Sequence, residues 1–218
     1  MPANGSRLWA QCKDVLQGHP AFVLGNDPFL PADLTVLGGL FSVGVNRILE
    51  RCDPTVLMWL DPEVGGRFEG TLETSPVIPI TLQEINWDNQ WWGLEAVGDT
   101  GRRSFDVPDH PGLIPITANS GVSAALWARS LGCQPVYLVG MSATYDGTRT
   151  NFYGHNPGHI RSTPHQLGRA LKALLTDAVF IPIHRQDELT GAAVRHVPMG
   201  RAWYRGQLEH RLSGLHPG

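Results

Sequence analysis

Three cysteines in 218 residues, Cys12, Cys52 and Cys133, are all the thiols the chain has. None stands in a C-x-x-C pair or at metal-ligand spacing, which excludes a zinc knuckle and a disulfide framework. They read as small buried residues of a reducing compartment. No apolar run approaches the roughly 20 residues needed to cross a bilayer. The opening MPANGSRLWAQ lacks the basic-then-apolar build of a secretory signal, so a cytoplasmic location is expected. Net charge is −3, which excludes a global basic field for nucleic acid. A local patch from Arg102, Arg103, Arg149 and Arg161 leaves that partner open. Neither a G-x-G-x-x-G fingerprint nor a phosphate-binding P-loop occurs, and there is no internal repeat or low-complexity tract.

What is present is ordinary globular material. Hydrophobic residues make up 42% of the chain, enough for a real core. The 25 glycines and 17 prolines imply many tight turns. Short apolar runs recur at Ala21–Leu24, Phe41–Asn46, Thr55–Leu60, Val77–Ile80, Leu113–Ile116, Val136–Gly140 and Val179–Ile183. Such runs suit buried parallel strands. Helical spacing marks Ser6–Gln17, through Leu8, Trp9, Cys12, Val15 and Leu16. It also marks Thr163–Ala178, through Leu167, Ala170, Leu171, Leu174 and Leu175. Leu34–Leu40 suits a short helical connection. Gly65–Arg103 shows no clear periodicity beyond the Val77 run, and its Trp87, Trp91 and Trp92 serve surface anchoring or ring stacking. The predicted fold is α/β: one Rossmann-like domain over 1–218, with a mostly parallel sheet and helices on both faces. Its core spans about 19–184. A C-terminal extension, about 185–218, ends in a piece from Gly200 that is basic and mobile in character. Met141–His159 is a long loop rich in Tyr, Asn, Gly and His, and loops of that length usually carry function.

The candidate site lies where strands end in polar residues. Gly25-Asn26-Asp27-Pro28 follows the first strand, Asn46 ends the second, and Asp61 follows the third. Later, Asn119-Ser120-Gly121 opens a helix of small residues ahead of the Val136 strand. The amides of a helix start are short of partners and carry the positive end of its dipole, so they suit an anion. Asn119 or Ser120 capping its own helix explains the same residues, and Asn-Asp-Pro is turn chemistry by itself. Ligands of open α/β sheets bind outside the carboxyl ends of the strands, and three polar tips within sixty residues fit that rule.

Several blocks together resemble a known family. They are Gly25-Asn26-Asp27-Pro28, Val43-Gly44-Val45-Asn46-Arg47, the Asp61 strand, Asn119-Ser120-Gly121-Val122, Leu131-Gly132 and Tyr137-Leu138-Val139-Gly140-Met141. Their order is similar to that of the DUF115 proteins, the group related to archaeal 6-hydroxymethylpterin diphosphokinase. It is also similar to that of bacterial CMP-sialic-acid-dependent sialyltransferases. The family usually has Gly-Pro-Ser after the first Asn, whereas this chain has Asp27-Pro28-Phe29. Asn151-Phe152-Tyr153-Gly154-His155 looks like the aromatic-His segment of phage and bacterial relatives.

The resemblance implies a nucleotide at the strand tips. Asn26 and Asn46 would contact its phosphates or sugar. Ser120 and Gly121 would hold base or ribose, with Gly25, Asn119 and Tyr145 completing the site. It further implies His155 as general base toward an acceptor hydroxyl, with Tyr153 and Tyr145 donating to the leaving phosphate. Asp61 is a third candidate catalytic residue. The expected activity is a nucleotide-dependent transferase, foremost a glycosyltransferase with a nucleotide-sugar donor and a hydroxyl acceptor. A Mg²⁺-dependent diphosphokinase acting on a pterin-like hydroxymethyl group is the alternative, with Asp27, Asp61 and Asp146 as metal ligands. A non-catalytic nucleotide-binding protein is the third. The oligomeric state is left open, with a homo-oligomer among the options.

Overall fold

The computed structural model describes residues 12–59, 62–81, 92–93, 119–144, 149–154 and 163–212. One sheet holds seven strands: β1 (Ala21–Leu24), β2 (Ser42–Val45), β3 (Val56–Trp59), β4 (Ile78–Thr81), β5 (Trp92–Gly93), β6 (Val136–Val139) and β7 (Phe180–Ile183). Every pairing is parallel. The order across the sheet is β5-β4-β3-β2-β1-β6-β7. The chain therefore steps outward from β1 as far as β5, then returns to the other side of β1. That reversal makes the β1/β6 junction a topological switch point, where a crevice opens at the carboxyl ends of the strands. The α/β, Rossmann-like arrangement expected from the sequence is the one observed.

The helices are α1 (Pro62–Thr74), α2 (Ser120–Ser130), α3 (Thr163–Leu174), α4 (Gln186–Ala193) and α5 (Arg201–Leu212). Single 3₁₀ turns at Thr35–Leu37 and Ile48–Glu50 replace full helices in the first two crossovers. The strands read as unbroken apolar runs because both faces are covered, yet their side chains still alternate. Ala21, Val23, Val43, Val45, Val56, Met58, Val136 and Leu138 pack with residues of α2, α3 and α5. Phe22, Leu24, Leu57, Trp59, Tyr137 and Val139 pack with residues of α1 and α4. Phe22 and Trp59 are fully buried, each worth about 1.5–3 kcal/mol or more of hydrophobic stabilisation.

The structure departs from expectation in several places, among them strand β5 at Trp92–Gly93 and helix α4, neither of which was expected. Residues 62–74 form a helix where no periodicity was assigned; Val64, Phe68 and Leu72 lie four apart and bury one stripe. Gly65, Gly66 and Gly70 lower its intrinsic propensity, so packing decides. The stretch from Gly200 is not a loose tail as far as Leu212. It forms α5, whose Tyr204 and Leu208 are fully buried in the core. Within the expected first helix, Lys13–Gly18 runs in turns and Leu16 is buried. The expected strand at Leu113–Ile116 lies outside the described residues.

Candidate functional site

The tips of β1 and β6 are pressed together. Beyond the strand ends, the Gly25 N–H donates to the Val139 carbonyl at 2.8 Å and the Asp27 N–H to the Gly140 carbonyl at 3.1 Å. A Cβ on Gly25 would lie 2.2 Å from the Gly140 oxygen, so only glycine fits. Gly140 itself has φ +65, a left-handed turn that glycine takes without strain. These two glycines let the chain leave both strands side by side.

Asp27 then locks the two exit loops. One carboxylate oxygen accepts from the Phe29 N–H at 2.7 Å. The other accepts from the Ser142 N–H at 2.9 Å and from the Ser142 hydroxyl. The side chain is 8% exposed. Three bonds use three of the about four lone-pair sites of a carboxylate. Asn26, 9% exposed, turns its Nδ2 to the Val45 carbonyl at 3.2 Å. Its backbone carbonyl accepts from the Phe152 N–H at 2.9 Å. Its Oδ1 is buried and has no hydrogen-bond partner.

The facing wall is the start of α2. Asn119 is the N-cap, and its side chain accepts from the Val122 N–H at 3.0 Å. Ser120 donates its hydroxyl to Asn46 Oδ1 at 3.0 Å. Asn46 has φ +50, a left-handed conformation that Asn tolerates better than most residues. The tip of β2 is thereby tied to the helix that caps the cleft. The segment 149–154 adds a tight turn in which Asn151 and Gly154 bond reciprocally through their backbones, at 3.0 Å each way. Arg47 lies 3.9 Å over the Tyr153 ring while also holding Glu50 through two hydrogen bonds of 2.7 and 2.9 Å.

Between these parts lies a cleft of about 80 Å³. Among the candidate residues, Gly25, Asn26, Asp27, Asn119 and Gly121 line it. Asn46 and Ser120 brace its wall through their mutual bond. Tyr153 sits two residues beyond the lining residue Asn151, with its ring against Arg47. Asp61, Tyr145 and His155 lie outside the described residues, as do Asp146, Arg102, Arg103 and Arg161. Ser142, Thr144, Thr150 and Asn151, none of them a candidate from the sequence, also line the cleft. A signal existed: Val139-Gly140-Met141-Ser142 repeats the strand–Gly–polar order of Leu24-Gly25-Asn26. The described lining carries no Lys or Arg, so the α2 dipole is the positive feature of its walls.

Asp27 does not by itself make a cation site, since its oxygens are committed to Ser142 and Phe29. Among the described residues no three His, Cys, Asp or Glu side chains gather as a metal site. No helix among them is long and apolar enough to cross a membrane. Cys12 and Cys133 are buried, as expected, while Cys52 is only half-buried. Burial pushes the thiols of Cys12 and Cys52 up to about 11, against nearby arginines that pull the other way, and burial raises that of Cys133 as well.

A second cavity, of about 300 Å³, lies beside the Thr35–Leu37 turn and is rimmed by Asp33, Arg51, Cys52, Asp53 and Arg201. Its charges are engaged. Asp33 accepts from the Thr35 N–H and hydroxyl, at 2.9 and 2.5 Å, and these bonds hold its carboxyl below the usual range. Arg51 donates to the Ala32 carbonyl at 3.2 Å, and Arg201 approaches Asp53 at 4.0 Å.

Fold and cleft together define a parallel α/β protein with a polar crevice at its switch point. Comparison with protein-family models, curated proteins and solved structures gives no match.

Proposed function

We propose that this chain is a nucleotide-dependent transferase that carries a glycosyl group from a nucleotide-sugar donor to a hydroxyl acceptor. The observation that supports this reading best is the position of the cleft: at the β1/β6 switch point, between the Gly25–Asp27 turn and the capped start of α2. In open α/β sheets that crevice is where ligands bind, and a helix start there favours phosphate.

The chemistry follows from those parts. The donor's phosphate lies toward the amides of α2. As the glycosyl–oxygen bond breaks, its electron pair passes to the phosphate, and the helix dipole stabilises the growing charge. The acceptor oxygen bonds to the anomeric carbon, and its proton passes to a general base. His155 is the residue proposed for that step, because it follows Gly154 directly in the chain and a His titrates near neutrality. Tyr153 is proposed to assist the leaving phosphate. The diphosphokinase alternative needs a metal held in part by Asp27, whose hydrogen bonds favour a bracing role instead.

A thermal-shift screen against CMP, UDP, GDP, ATP and their sugar conjugates, with and without Mg²⁺, tests the reading. A ligand at one hundred times its dissociation constant adds about 2.7 kcal/mol of stability. No shift with any of them overturns the proposal. Binding without turnover of any sugar conjugate would reduce the chain to a nucleotide-binding protein. His155→Ala is expected to keep the shift and lose at least about a hundredfold in turnover.

A further inference from the structure

We infer that the Asn26 side chain reads a sugar hydroxyl of the bound nucleotide, as an obligate hydrogen-bond acceptor, and is not a contact for its phosphates. The inference rests on the nucleotide-binding reading above and assigns the group that one of its contact residues recognises.

The Val45 carbonyl lies 3.2 Å from the Asn26 side-chain amide nitrogen. A carbonyl can only accept, so the amide nitrogen must face it, and the carboxamide cannot turn over without setting two oxygens against each other. The side-chain oxygen therefore faces away from Val45. It is buried in a residue 9% exposed and has no partner. The neighbouring groups of the turn that hydrogen-bond are committed elsewhere. The Asn26 carbonyl accepts from the Phe152 N–H, and the Asp27 N–H donates to Gly140. Asp27 spends its carboxylate on Phe29 and Ser142. Asn26 Oδ1 is thus the buried side-chain acceptor of this turn that still lacks a partner.

A buried acceptor without a partner is costly, and a ligand that supplies a donor removes the cost. An ionised phosphate oxygen is itself an acceptor and is repelled by Oδ1. A hydroxyl donates readily. Across the cleft, the start of α2 favours an acceptor or an anion. One wall thus calls for a donor and the other for negative charge. A ribose phosphate meets both, with a ring hydroxyl toward Asn26 and its phosphate toward α2.

The test compares CMP and ATP with their 2′,3′-dideoxy counterparts, by calorimetry and thermal shift. Wild type is expected to bind the ribonucleotides at least about tenfold more tightly, the ordinary consequence of leaving a buried acceptor unpaired. In Asn26→Leu the preference falls to within about twofold. Wild type binding ribo and dideoxy forms equally overturns the assignment and leaves nucleotide binding standing. Failure of every nucleotide to bind overturns the transferase reading together with it. The wild-type comparison decides even where Asn26→Leu does not fold. A preference that persists in folded Asn26→Leu also counts against Asn26.

Discussion

The two cavities differ in the opposite sense to their size. The one near Thr35–Leu37 holds about 300 Å³ and the switch-point cleft about 80 Å³. Yet the larger has its charged groups paired with one another or with backbone, while the smaller is lined by a residue whose buried side-chain oxygen has no partner. Recognition needs unsatisfied polar groups held rigidly, because a site whose hydrogen bonds are already made gains little from a ligand. The smaller cleft is built on Gly25 and Gly140 in close approach, and on bonds that join four separate chain segments. The larger is rimmed by side chains more than a third exposed, such as Arg201 and Asp53.

Breaking the smaller cleft is expected to give the largest effect. Gly25→Ala places a methyl 2.2 Å from the Gly140 oxygen, and the strand tips must part. Overpacking of this kind costs about 1–3 kcal/mol or more. Urea denaturation should show that loss, and the nucleotide-induced thermal shift should vanish with it. Asp27→Asn comes next. It replaces charge-assisted bonds to Ser142 and Phe29 with weaker ones and faces an amide donor toward donors, for a loss of about 1.5–3 kcal/mol. If Asp27 braces the loops and does not hold a metal, chelator leaves the wild-type stability unchanged.

The larger cavity gives the smaller numbers. Cys52 reports on it from within: with its thiol pushed up to about 11, alkylation should be slow at pH 8 and speed up about tenfold per pH unit until near pH 11. Nucleotides should not protect it. Protection of Cys52 by a nucleotide would reverse the comparison and move the site. Arg201→Ala removes an exposed pairing at 4.0 Å and should change stability by no more than about 0.5 kcal/mol; a loss of nucleotide binding in that variant would have the same force.

Much of the sheet was legible because parallel strands buried on both faces are short, continuous and apolar, as at Ala21–Leu24 and Val136–Val139. Helix α2 was legible from its cap, and Asn119 does accept from Val122. Helix α1 was not, because three glycines in thirteen residues mask a buried stripe of only Val64, Phe68 and Leu72. Helix α5 was hidden by its charge, since a basic segment reads as solvated until Tyr204 and Leu208 are seen in the core. At the site, Gly25, Asn26 and Asp27 stood out through strand-end chemistry. Ser142 did not, because its partner Asp27 lies 115 residues away and nothing local announces such a pairing. Nor does sequence reveal that Val45 fixes which end of the Asn26 amide is on offer.

That separation also sets a timetable. A ribosome adds about 5–20 residues per second, so Asp27 emerges about 6–23 s before Ser142 at that rate. Strands β1 to β4 are in hand long before β6 exists, and during that interval the central strand has one flank bare. Non-local closures of this kind are slow to form and leave strand edges open to wrong partners. The cleft therefore cannot close before Ser142 has emerged, at a time when α3, β7, α4 and α5 are still to be made.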